Sequence, residues 1–137
     1  MRQYGGDPAI DLRREDLIVH VRISSAERAA DSGTRVRDPY VFRLDFVDYD
    51  DHAARIVLCD PCDAKARTGA GREFYPNIEG NQVFSHDSFL CMPGDRRCYE
   101  QNNHPEWKLK QHYHPDIVIG SLFALLQSPN YRGRLSP

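Results

Sequence analysis

Cys91 and Asn77 are the residues of this sequence whose types and surroundings best suit them to joint chemistry. A cysteine attacks carbonyls as thiolate, and the resulting thioester is stable in water yet reactive toward amines. A carrier of that kind needs an accessible sulfur, a donor for the tetrahedral oxyanion, and a group that orients or deprotonates the amine. Cys91 ends the apolar run Phe89-Leu90-Cys91 and precedes Met92-Pro93-Gly94, which predicts a sulfur at a strand-to-loop junction. Asn77, in Tyr75-Pro76-Asn77-Ile78, offers an amide side chain to an oxyanion from a predicted Pro-Asn turn. Cys98, in Arg96-Arg97-Cys98-Tyr99, is the rival nucleophile, because flanking arginines favour a thiolate. Its neighbours are polar, whereas Cys91 has an apolar strand, so Cys91 is placed first. Tyr75, His104, His112, His114 and Asp95 are the further candidates, the histidines and the aspartate for handling the acceptor's proton. Taken alone, a cysteine such as Cys91 is more often a small buried hydrophobe.

A second chemistry is visible in Cys59-Asp60-Pro61-Cys62, a C-x-x-C pair that is half of a zinc site. Cys98 with His104, Cys91 with Cys98, or His112 with His114 would have to supply the other half. None of these matches the second tight pair of a strong zinc module. The competing expectation is that Cys59 ends a buried strand while Cys62 sits in a loop. Thioester chemistry requires no cofactor, so structural zinc at Cys59 and Cys62 is an addition to it rather than a substitute. Gly69-Ala70-Gly71-Arg72 lacks the glycine spacing and the Lys-Ser/Thr of a phosphate-binding loop, and reads as a hairpin tip.

The elements that must position these residues are legible in the hydrophobic pattern. A chain of 137 residues with 40% apolar and 28% charged residues reads as one domain, frayed over residues 1–10. Its net charge of −2 predicts neither a nucleic-acid nor a membrane partner. No apolar run reaches the roughly 20 residues of a membrane helix, and no secretory signal is visible, so a cytoplasmic protein is expected. Asp11 to Asp16 predicts at most a helical turn. Val19, Val21 and Ile23 alternate with His20 and Arg22, predicting a strand with one wet face. Ser24 to Asp38 reads as a long hairpin connection in which Glu27 to Ala30 suggest a helical turn. Tyr40, Phe42, Leu44 and Phe46 define a second strand, and Arg55 to Cys59 a third, stopped by Asp60-Pro61. Successive strands with turn-like links predict an antiparallel meander. Phe74 to Asn81 reads as irregular, and Phe89 to Met92 as a short strand. A helix is predicted from Ile117 to Gln127, capped by Asp116, with Val118, Leu122, Leu125 and Leu126 on one stripe and Ser128-Pro129 as its stop. The fold class is α+β: an antiparallel meander packed with a C-terminal helix.

Taken in order, these features resemble the ubiquitin-conjugating enzymes over most of the chain. Tyr75-Pro76-Asn77-Ile78 is similar to the family's His-Pro-Asn-Ile, with tyrosine in the histidine's place. Phe89-Leu90-Cys91-Met92 is similar to its cysteine segment, Trp107 to its downstream tryptophan, and Leu125-Leu126-Gln127-Ser128-Pro129-Asn130 to its helix ending in Leu-Leu-x-x-Pro-Asn. The resemblance implies a conjugating fold with a truncated N-terminal helix, and a transferase of a bacterial ubiquitin-like conjugation system, such as one serving antiviral defence. It implies an activating enzyme, a ubiquitin-like modifier and a target protein as partners, with Cys91 as thioester carrier and Asn77 as oxyanion donor. Several features depart from the pattern. Ala53-Ala54 replaces a proline pair, the gaps around Cys91 are long, and Tyr131-Arg132-Gly133 stands where many relatives place an acceptor-gating aspartate. Two alternatives therefore stay open: a catalytically silent variant acting as a binding scaffold, and a small zinc-stabilised binding domain.

Overall fold

The computed structural model describes residues 10–15, 18–46, 55–63, 69–81, 83–84 and 115–135, the stretch 11–15 by its backbone alone. Among them, an antiparallel four-stranded sheet is built from β1 (Ile10–Glu15), β2 (Ile18–Ser24), β5 (Pro39–Asp45) and β6 (Arg55–Cys59), in the order β1-β2-β5-β6. Between β2 and β5 lies a two-stranded ladder of β3 (Arg28–Ala29) and β4 (Arg35–Val36). A single 3-10 turn, Arg72–Phe74, leads into β7 (Pro76–Ile78). Helix α1 (Pro115–Leu126) is followed by β8 (Tyr131–Arg134), which pairs antiparallel with β7. No helix of the described residues is long and apolar enough to cross a membrane.

The register explains the core. Val21 stands opposite Phe42, and Phe42 opposite Leu58; in the next row Val19, Leu44 and Ile56 line up, and Ile23 faces Tyr40. Alternation puts all of these side chains on one face of the sheet, where each is buried. Helix α1 closes that face with Val118, Ile119, Leu122 and Leu126, and Phe84 tilts against Phe42 with ring centroids 6.4 Å apart. Burial of eleven large side chains below 2% exposure, Phe42, Leu44 and Leu122 among them, supplies the main driving force for this packing.

The strands expected at residues 19–23, 40–46 and 55–59 and the expected helix are present, giving an α+β fold of antiparallel sheets with one helix among the described residues. The strand expected at residues 89–92 lies outside them, and several details are corrected. Residues 10–15 form a strand rather than a helical turn. Backbone pairing with β2 satisfies the amides and carbonyls that face it, and Ile10 is buried in the core. Residues 28–29 are extended, not helical. The β3–β4 hairpin turns through Gly33 at φ +85, a left-handed conformation that glycine adopts without steric cost. Helix α1 begins at Pro115, so Asp116 lies in the first turn rather than at the cap. Proline at a helix start loses no intrahelical hydrogen bond, and a carboxylate there favours the helix dipole. The helical stripe takes Ile119 as a fully buried member in place of Leu125, which is only partly buried. The second face of the sheet is not uniformly wet. Val41 and Cys59, register partners on that face, are buried together with Val57 packed against them. The chain returns alongside β6, with Gly69 in a backbone bridge to Cys59 and the Ala70 amide donating to the Leu58 carbonyl at 2.7 Å.

Candidate functional site

Asn77 lies at the centre of β7, in a strand rather than in the predicted turn. Pro76 and Ile78 on either side are buried, so the strand alternation turns the half-buried Asn77 to the opposite face. Two backbone hydrogen bonds fix the ends of this short ladder. The Glu79 amide donates to the Asn130 carbonyl at 3.0 Å, and the Leu135 amide donates to the Tyr75 carbonyl at 2.8 Å. The segment Tyr75–Ile78 and the Ser128-Pro129-Asn130 turn that ends α1 are thereby neighbours. Within that turn the Tyr131 amide donates to the Ser128 carbonyl, and the Asn130 amide to the Ser128 hydroxyl. Tyr75 is 7% exposed and belongs to the core, with the Arg72 guanidinium 5.1 Å above its ring.

Beneath the ladder lies a polar cluster that the sequence did not single out. Asp38, 7% exposed, accepts from Arg28 twice, Nε to Oδ2 at 2.6 Å and Nη2 to Oδ1 at 2.8 Å. Its Oδ2 also accepts from the Tyr131 hydroxyl. Tyr131 has one hydroxyl proton and spends it on the carboxylate, so Tyr40 must be the donor in the 2.6 Å Tyr40–Tyr131 contact. The two rings meet edge to face, with centroids 6.2 Å apart. Arg134 donates to the Pro39 carbonyl and places its guanidinium 5.3 Å from the Tyr40 ring and 5.5 Å from that of Phe74.

The electrostatics follow from this geometry. The bidentate bond from Arg28 holds the Asp38 carboxyl below the usual carboxylate range against the opposing effect of burial, and the Tyr131 bond adds to it. Burial pushes Tyr40 up to about 12. Tyr131 is raised further, first by burial and then by donation to Asp38, because ionisation would set a phenolate against a carboxylate. Both phenols are therefore held as neutral donors, and Asp38 as an anion. Ser25 completes the support: its hydroxyl accepts from the Asp38 amide at 2.9 Å, and its amide donates to the Asp38 carbonyl at 2.9 Å.

Of the residues singled out by the sequence, the structure describes Tyr75 and Asn77, which flank Pro76 in the segment that pairs with the chain following α1. Cys91, Cys98, His104 and His114, with Trp107, lie outside the described residues. Cys59 and Cys62 are both described and differ sharply. Cys59 is buried at the end of β6, its thiol pushed up by burial against the lowering effect of Arg43, and its sulfur lies 3.6 Å from the Val57 carbonyl. Cys62 is exposed in the following turn, its amide held by Asp60 Oδ1 at 2.8 Å. No group of three or more His, Cys, Asp or Glu side chains among the described residues is disposed to hold a metal ion. The cluster of Arg28, Asp38, Tyr40 and Tyr131 was invisible to pattern reading, because its partners lie up to 93 positions apart. The one available signal was Asp38 itself, an acid placed directly before the Pro39 that opens a strongly apolar strand.

No known family matches this chain, and no curated protein matches it.

Proposed function

We propose that this protein is a ubiquitin-conjugating-like carrier that accepts a ubiquitin-like modifier as a cysteine thioester and transfers it to an amine. The observation that carries this reading is the pairing of β7 with β8, which sets Tyr75-Pro76-Asn77-Ile78 directly beside the Pro-Asn turn ending α1. A meander, a Pro-Asn segment and a helix closing on Pro-Asn follow one another in the order of the resemblance, and Ile78 and Glu79, just after the first Pro-Asn, pair with Tyr131 and Asn130 at the second.

In the proposed reaction, the Cys91 thiolate attacks the carbonyl of the modifier's C-terminal thioester on the activating enzyme, and the activating enzyme's sulfur leaves as thiolate. An acceptor amine then attacks the new thioester. The tetrahedral oxyanion takes a hydrogen bond from the Asn77 amide, the carbon–sulfur bond breaks, Cys91 leaves as thiolate, and the amine's proton passes to water. Asn77 suits this role because an amide donor needs no change of charge during the step. Cys98 is the alternative nucleophile, and His104 and His114 are candidates for taking that proton in place of water.

The scaffold reading has one observation in its favour. The position after Pro129-Asn130 is Tyr131, whose hydroxyl is committed to Asp38 inside the protein, and so is not a group that engages an incoming amine. Single-turnover discharge of preformed thioester to a free amine separates the two readings. The carrier reading expects Asn77→Ala to charge normally and discharge roughly 100-fold more slowly, the scale of losing one oxyanion donor. Discharge at the wild-type rate would remove Asn77 from the chemistry.

A further inference from the structure

We infer that Tyr131 and Arg134 are positioning residues whose anchorage in the Asp38–Tyr40 region sets where β7 holds Asn77. Their sequence context, Tyr131-Arg132-Gly133-Arg134, has neither the length nor the apolar content to hold a strand in place by itself. A two-stranded ribbon of this size is marginal unless something else ties it down. Here both ends of β8 are tied. Tyr131 is the register partner of Ile78, and its ring is buried with its hydroxyl on Asp38. Arg134 is the register partner of Pro76, and its guanidinium is held between Tyr40 and Phe74 with a hydrogen bond to the Pro39 carbonyl. Asn77 is the residue between those two register positions. Each anchor also ends on the start of β5 or on Asp38 just before it, so the position of Asn77 is referred to the four-stranded sheet rather than to its own short loop.

Gly133 shows how close the fit is. It adopts φ +95, and a Cβ built there would lie 3.2 Å from Arg28 Nε, the atom that holds Asp38. The strand thus lies against the same guanidinium that fixes its own anchor. By contrast, the Arg132–Glu79 pair across the ladder, at 3.0 Å, is exposed on both sides and contributes little to holding it.

The functional part of this inference rests on the proposed thioester chemistry, so its test has two separate arms. The first is amide hydrogen exchange on the full chain, following Glu79 and Leu135, whose amides cross the ladder. Tyr131→Phe keeps the ring and leaves Asp38 paired with Arg28, so the sheet stays intact. Glu79 and Leu135 are expected to exchange about tenfold or more faster, with β2 and β5 amides much less affected. Tyr40→Phe leaves the Tyr131–Asp38 bond in place and is expected to open neither amide comparably. Unchanged exchange in Tyr131→Phe, or equal opening in Tyr40→Phe, overturns the positioning role whatever the protein's activity.

The second arm is a cycle of Tyr131→Phe with Asn77→Ala, read by discharge of preformed thioester. A residue acting through Asn77 slows discharge roughly tenfold to 100-fold in the wild-type background and has almost no effect once Asn77 is alanine. Equal slowing in both backgrounds shows a general loss of structure and overturns the functional role. Absence of thioester in the wild type overturns the carrier reading while leaving the exchange result to stand by itself.

Discussion

Replacing Asp38 by asparagine tests the buried cluster with the smallest change of shape. Asp38 accepts three hydrogen bonds, two from Arg28 and one from Tyr131, and Oδ2 takes two of them. In the better orientation of asparagine, the amide oxygen replaces Oδ2 and keeps Arg28 Nε and Tyr131. The amide NH2 then faces Arg28 Nη2, donor against donor. In the flipped orientation the NH2 faces both Arg28 Nε and the Tyr131 hydroxyl, which is worse. The loss is therefore the carboxylate's charge toward two donors plus one contact to Arg28. The Arg28 side chain is 34% exposed and can rehydrate, so that contact is counted low. The charge-assisted bond from the buried Tyr131 becomes an ordinary one, which accounts for most of an expected destabilisation of about 1–2 kcal/mol at neutral pH.

The sign of the pH dependence sharpens this test. The folded-state pKa of Asp38 is depressed below its unfolded value, so its contribution is fully present above the ordinary carboxylate range. The contribution fades as pH falls through the depressed folded value. Urea unfolding followed by circular dichroism, with unchanged slope, would measure wild type and Asp38→Asn across that range. The gap between them should close on acidification. A variant as stable as wild type at neutral pH, or a gap that persists unchanged into acid, would refute the account of this cluster.

Two further predictions concern the same region. Gly133→Ala should destabilise by about 1 kcal/mol or somewhat more in the same urea assay, from the left-handed backbone and the 3.2 Å approach to Arg28; a neutral effect would mean that β8 relaxes freely. Tyr40 and Tyr131 should resist ionisation after exposed tyrosines have titrated, because the folded pKa of each is raised. Their stabilising contribution holds below the ordinary tyrosine range and is lost as pH rises, so tyrosinate absorbance should show a late fraction that appears together with unfolding. A single early titration of all tyrosines with the fold retained would contradict the buried placement.

The sheet was legible where one face is unbroken. Tyr40, Phe42, Leu44 and Phe46 recur at every second position, with Arg43 and Asp45 between them, so the strand and its core face follow. The helix was legible from the stripe Val118, Leu122 and Leu126. Strand β1 was not, because its alternation extends only over Ile10 and Leu12 before the charged run Arg13-Arg14-Glu15, too short a pattern to mark a strand without its pairing to β2. Strands β3 and β8 were hidden for a related reason. Arg28 and Tyr131 are placed by a carboxylate far away in sequence, and local pattern carries no trace of such a partner. At the candidate site, Asn77 was singled out through its residue type and its proline neighbour. The pairing of its strand with the chain after α1 could not be read, since Tyr131 and Arg134 are held by partners at the start of β5 and on Asp38 before it.

The central claim is that this protein carries a modifier on a cysteine, and a charging reaction tests it most directly. Wild type, Cys91→Ala and Cys98→Ala would each be incubated with an active activating enzyme, its ubiquitin-like modifier and ATP, and resolved with and without a thiol reductant. The account predicts a reductant-sensitive adduct that forms in wild type and Cys98→Ala and is lost in Cys91→Ala. Loss in Cys98→Ala alone would move the nucleophile within the same chemistry. No adduct in any of the three, with the partners shown to be active, would contradict the carrier function.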